Sequence, residues 1–186
     1  MIRPFATLLA GLLLAGCTSL PQEGLRPRHQ VEAFSIEARF ALRVTPADQP
    51  ARSSSGRLSW QHQPHGDRIL LANPLGHGVA EIESGPQFAR LRTADGQVRE
   101  STDADALTAE VTGQRLPVTR LPGWLLGRSP AIRHDTQGRP RQLDDDGWQI
   151  DYAYDDSGAD ALPSGLTLRR AEEIELRLRI EEWKTP

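Results

Sequence analysis

Arg68-Ile-Leu-Leu-Ala-Asn73-Pro74-Leu75-Gly76-His-Gly-Val-Ala-Glu-Ile82 holds two apolar runs around a four-residue turn. Pro74 pre-sets φ for the second turn position and Gly76 suits the last, so the stretch predicts a tight β-hairpin. Its tip carries Leu75, although a turn tip faces water and is usually polar. Single exposed leucines are common on soluble proteins, so the turn by itself assigns Leu75 no role.

Upstream, Phe34 to Val44 alternates without a break. Phe34, Ile36, Ala38, Phe40, Leu42 and Val44 share one phase, and Ser35, Glu37, Arg39 and Arg43 the other. Period-two patterning over eleven residues predicts a long half-buried strand. Thr45 to Ser54 reads as a polar loop, and Gly56 to Gln61 as a strand with Leu58 and Trp60 on one face. Downstream, Phe88–Thr93 and Gln97–Ser101 flank Asp95-Gly96, a two-residue hairpin signal.

The period then changes. Thr102-x-x-Asp105 can cap a helix with Ala104, Leu107 and Val111 on one face and Gly113 as its stop. Leu121, Trp124 and Leu125 mark a second short helix, in which Pro122 has to occupy the first turn. Strands resume at Arg139–Leu143, Trp148–Tyr154, Leu166–Arg170 and Ile174–Ile180. The expected class is therefore mainly β: some ten or eleven antiparallel strands curling round an apolar interior, with a few helices over the open mouth.

The N-terminus points to a compartment. Arg3 is followed by a short apolar run ending Leu14-Ala15-Gly16-Cys17. The run is too short to span a bilayer, which takes ~20 apolar residues, and reads as a secretory signal. An aliphatic residue, two small residues and the chain's single cysteine resemble a bacterial lipoprotein signal. That resemblance implies removal of residues 1–16 and acylation of Cys17, with Thr18 next to it implying the outer membrane. Residues 17–26 then form a tether, and 27–186 a single domain. One cysteine excludes an intramolecular disulfide.

Removing Arg3 with the signal takes the net charge from −3 to about −4, and the arginines are interspersed with acids, so no nucleic-acid partner is expected. No nucleophile elbow, His-Glu-x-x-His or phosphate loop occurs, so no enzymatic activity and no cofactor are expected. His62 and His65 have metal-like spacing but read as solvated loop residues, and Asp144-Asp145-Asp146-Gly147 lacks the spacing of a calcium loop. Function is left to the apolar interior. Its lining candidates are Phe40, Leu42, Leu58, Trp60, Leu70, Trp124, Leu125, Trp148, Ile150, Tyr152, Leu176, Leu178 and Ile180.

An ordered set of short motifs adds to this: Ser55-Gly56-Arg57-Leu58-Ser59-Trp60, Asn73-Pro74-Leu75-Gly76, Gly113-x-x-Leu116-Pro117-Val118, Leu121-x-x-Trp124-Leu125-x-Gly127, Gly147-Trp148-x-Ile150-x-Tyr152, Leu162-Pro163 and Leu176-x-Leu178-x-Ile180-x-x-Trp183. Together they resemble the LolB family of outer-membrane lipoprotein receptors over nearly the whole mature chain. Pro122, inside the family's helix, is a departure. The resemblance implies a half-closed β-barrel with a helical lid over an apolar cavity, anchored by its own lipid at the periplasmic face of the outer membrane. It implies a monomer that accepts lipoprotein cargo from the periplasmic carrier LolA, houses the acyl chains and inserts the cargo into the inner leaflet. The leucine of the protruding loop, matched here by Leu75, would act in that insertion. The competing expectation is a structural or assembly lipoprotein with a solid core and a protein-binding sheet surface.

Overall fold

A computed structural model describes residues 25–129 and 131–186. The expected signal peptide and Cys17 lie outside the described residues, as does most of the expected tether. A short 3-10 turn, Arg28–Gln30, leads into β1 (Phe34–Val44), β2 (Arg52–Gln63), β3 (Gly66–Ala72), β4 (Gly78–Gly85), β5 (Phe88–Thr93) and β6 (Val98–Ser101). Then come α1 (Ala104–Thr112), α2 (Leu121–Leu125), β7 (Ile132–His134), β8 (Pro140–Asp145), β9 (Trp148–Ala153), β10 (Gly165–Arg170) and β11 (Ile174–Lys184).

The strands form one 11-stranded antiparallel sheet in the order β6-β5-β4-β3-β2-β1-β11-β10-β9-β8-β7. Its centre joins the two longest alternating segments, with Phe40 opposite Leu178 and Leu42 opposite Leu176. The edge strands β6 and β7 do not pair with each other, so the curled sheet stays open. α1 packs on β4, β5 and β6. α2 covers the other half, where Trp124 meets Trp148 at 6.1 Å between ring centroids. One apolar cluster fills the interior, from Val31 and Trp60 through Trp124 to Ile180.

Local chemistry accounts for the element ends. Asp103, not Thr102, caps α1: its side chain accepts the Ala106 N–H, and Gly113 closes the helix in the left-handed conformation. Pro122 sits in the first turn of α2, where it displaces no helical hydrogen bond, so this departure is accommodated. β2 begins at Arg52, which shortens the expected loop after β1. β7, a three-residue edge strand, went unpredicted because Ile132-Arg133-His134 is too short to show a period.

Candidate functional site

Two features outlast the assembly of the core: a cavity inside the sheet and an apolar tip outside it.

The cavity, about 60 Å³ in volume, is apolar throughout. Phe40, Leu42, Leu58, Trp60, Leu176 and Leu178 line it, as the alternation of β1, β2 and β11 leads one to expect. The remaining lining comes from Ile69, Leu71, Ile82, Thr108, Thr112, Leu116, Val118 and Leu121. Gly56 makes room for one wall: a Cβ there would lie 2.9 Å from Phe40 Cε1 and would collide with the Ala72 carbonyl. The two threonines suit an apolar wall because their hydroxyls are engaged elsewhere. Thr108 Oγ1 donates to the Asp105 carbonyl at 2.7 Å and Thr112 Oγ1 to the Thr108 carbonyl at 2.8 Å.

Several candidates lie elsewhere. Leu70 points outward and is 45% exposed. Pairing decides this, since Trp60 faces Ile69 and Ser59 faces Leu70, so Ile69 and Leu71 take the inner face. Trp124, Leu125, Trp148, Ile150 and Ile180 are buried in the solid core and line no part of the cavity. Tyr152 fastens α2, its hydroxyl donating to the Trp124 carbonyl at 2.6 Å. Burial raises the Tyr152 pKa well above the usual phenol range, so this donor keeps its proton. Trp124 Nε1 donates to Asp145 Oδ2 at 2.8 Å and Arg28 Nη1 to the Leu126 carbonyl at 3.0 Å. α2 is thus a fixed plug. α1 buries three of its nine residues, Ala104, Leu107 and Thr108, against four of five in α2, and is held by Asp105, which accepts the Thr119 N–H at 3.2 Å, and by Thr108 Oγ1, which accepts the Leu116 N–H at 3.0 Å.

His62 is not a solvated loop residue. It lies within β2, half-buried, with Nδ1 at 2.8 Å from Asp67 Oδ1, which also accepts the Trp60 Nε1–H.

The tip is built by its turn. Gly76 N–H donates to the Asn73 carbonyl at 2.9 Å, Asn73 N–H to the His77 carbonyl at 2.9 Å, and Gly76 has φ +90°. This is a turn closed by a left-handed glycine, the common three-residue hairpin loop. The same arrangement recurs at Thr93–Gln97, in place of the two-residue turn expected at Asp95-Gly96, and at Asp135–Arg139. The apex residue before the glycine is Asp95 in one and Gln137 in the other. Only the 73–77 turn has an apolar apex, Leu75, which is 83% exposed. The turn geometry does not require it.

Next to the cavity lies a separate surface depression, lined by Leu42, Val44, Pro46, Arg52, Ser53, Ser54, Thr112, Gly113 and Gln114, which shares Leu42 and Thr112 with it. Val44 lies opposite Arg52, and Arg57 opposite Ala72, which places this depression and the Leu75 turn at one end of the sheet.

Residues 32–183 match the family described as outer membrane lipoprotein LolB. The outer-membrane lipoprotein LolB of Dechloromonas aromatica is 58% identical over 183 residues, 97% of this chain and 96% of that one. That of Bordetella petrii is 38% identical over 94% and 91% of the two chains. The crystal structure of LolA superfamily protein NE2245 from Nitrosomonas europaea covers 82% of this chain and 86% of its own, at TM-score 0.46 and 10% identity.

Proposed function

The chain belongs to the LolB family of outer-membrane lipoproteins, which serves lipoprotein localisation, and on that premise we propose that it accepts lipoproteins from the periplasmic carrier LolA and inserts them into the inner leaflet of the outer membrane. The observation that carries the reading is the pairing of an apolar cavity with an exposed apolar turn tip, at the end of the sheet where a surface depression adjoins that cavity.

The energetics favour direct hand-over. A ~16-carbon chain removed from water is worth roughly 12 kcal/mol at ~0.8 kcal/mol per methylene. Cargo released into the periplasm would therefore be stranded, and transfer has to run from one apolar site to the next. The Leu75 tip would bring this end of the sheet to the acyl boundary of the leaflet. An acylated Cys17 would keep the domain at that membrane, since two or more chains anchor firmly where one is marginal.

The cavity has to grow to hold cargo. Each methylene fills roughly as much space as a water, ~30 Å³, so an acyl chain needs several hundred Å³. α1 is the cover that yields, because it buries three of its nine residues where α2 buries four of five. The small cavity is also what a solid-core assembly protein would show, which keeps that second reading open. Mixing the acyl-free domain with carrier loaded with a fluorescent lipoprotein tests the first: label moves to the domain. No transfer at equal concentrations contradicts it.

A further inference from the structure

Strand register gathers arginines that are interspersed with acids in the sequence. On the outer face Arg39 of β1 lies opposite Arg57 of β2 on one side and Arg179 of β11 on the other. One step along, Ala41 faces Arg177 and Arg177 faces Thr167. Like charges directly opposite one another across a ladder are unfavourable, so folding alone gives no reason for this row. Beside it the side chains shrink. Gly165 lies between Arg179 and Ala153, and the floor of Ala41, Ala153, Gly165 and Thr167 forms a trough of about 390 Å³ walled by Arg39, Arg177 and Arg179.

The three trough arginines have carboxylate partners at the surface: Arg39 pairs with Glu181, Arg177 with Glu175 and Arg179 with Asp155, each arginine more than half exposed. Such pairs are weak and exchange readily with other anions. Asp151, at the edge of the trough, is held by Arg169 at 2.6 Å. Arg57 has no carboxylate within 4 Å among the described residues. Arginine is suited to phosphate, which it binds through two parallel N–H donors.

We propose that this outer-face trough seats the headgroup phosphate of an anionic phospholipid, so that the domain leans its convex face on the bilayer while the Leu75 tip enters it. The occupant follows from what surrounds the trough. Arg39 and Arg57 lie level with Ala72, about three residues, ~10 Å, behind Leu75 along the strands, and Arg177, two positions further on, lies level with the turn, so the trough arginines fall at or just behind the ~5–8 Å headgroup layer when the tip enters it. Val79, bulged from β4 where Ala72 pairs with Gly78 and Leu71 with Ala80, is exposed beside the turn. Apolar residues backed by arginines are the signature of an anionic membrane surface. The proposal rests on the reading that the chain works at a bilayer, and it adds lipid charge as a determinant.

The test is vesicle flotation of residues 25–186, a unit that carries all eleven strands and the core. Neutral phosphatidylcholine vesicles are compared with vesicles holding about 30% phosphatidylglycerol. The unit should bind the anionic vesicles at least about tenfold more tightly, and Arg39→Gln with Arg177→Gln should remove that preference. Arg39→Lys with Arg177→Lys should restore part of it, since lysine keeps the charge and loses the two-donor fork. Arg90→Gln with Arg99→Gln, the same charge loss on β5 and β6, should stay within about twofold of the parent. No preference in the parent, or an equal loss in the control pair, overturns the proposal. So does loss of carrier binding with vesicle binding intact, which would make the trough a protein-docking face. Acceptance of label from carrier, read in parallel, separates this from the transfer function: its failure leaves the flotation result standing.

Discussion

Asn73 holds Leu75 at the apex of its turn. Asn73 Oδ1 accepts the Leu75 N–H at 2.9 Å and the His77 N–H at 3.1 Å. Asp135 does the same for Gln137 and Arg139, at 2.9 Å each. The apolar tip is therefore displayed by a rigid, backbone-satisfied turn rather than by a loose loop.

From this, Asn73→Asp keeps both acceptor contacts and should leave cargo insertion within about twofold of the parent, as a charged acceptor still fits an Asx turn. Asn73→Ala removes them, costing about 1 kcal/mol of stability and slowing insertion. Thermal unfolding and a liposome insertion assay on both variants check this.

α2 is pinned by the Tyr152 hydroxyl. Tyr152→Phe should cost about 1 kcal/mol by removing that hydrogen bond from the Trp124 carbonyl. Cargo acceptance should change little, because α2 is the fixed plug. Chemical denaturation reads the first effect and carrier-to-domain transfer the second; a large loss of acceptance would make α2 the moving cover instead.

The cover α1 carries a pH dependence at its start. The Ala106 backbone N–H, followed by Arg115, holds the Asp103 carboxyl below the usual carboxylate range. A pKa lowered on folding gives stability that is present above the unfolded-state value and lost as pH falls through the folded one. Acidification below the ordinary aspartate range should therefore loosen α1 first. Amide exchange in Ala104–Thr112 should rise before that of β1 and β11, and Asp103→Asn, still a cap, should flatten the dependence.

Much of the fold was legible because the informative segments are long. Phe34–Val44 and Ile174–Ile180 show their inner faces by alternation, and Gly76, Gly96 and Gly113 mark chain reversals. Leu70 was misplaced because Ile69-Leu70-Leu71-Ala72 is apolar at every position and hides its phase; only the pairing of Trp60 with Ile69 settles it. Thr108 and Thr112 gave no apolar signal, since their hydroxyls are turned to backbone carbonyls only once the helix exists. The arginine row is a property of register across three strands and is invisible along one.

The central claim, that the domain receives cargo in its cavity and delivers it through the Leu75 tip, is tested most directly by Leu75→Glu in two steps. Labelled lipoprotein is first passed from carrier to domain, and the loaded domain is then mixed with liposomes. Leu75 is 83% exposed and packs on nothing in the core, so the variant should fold normally and accept label within about twofold of the parent. Insertion should fall at least about tenfold, because a carboxylate resists entering the acyl boundary. Normal insertion by Leu75→Glu would contradict the account.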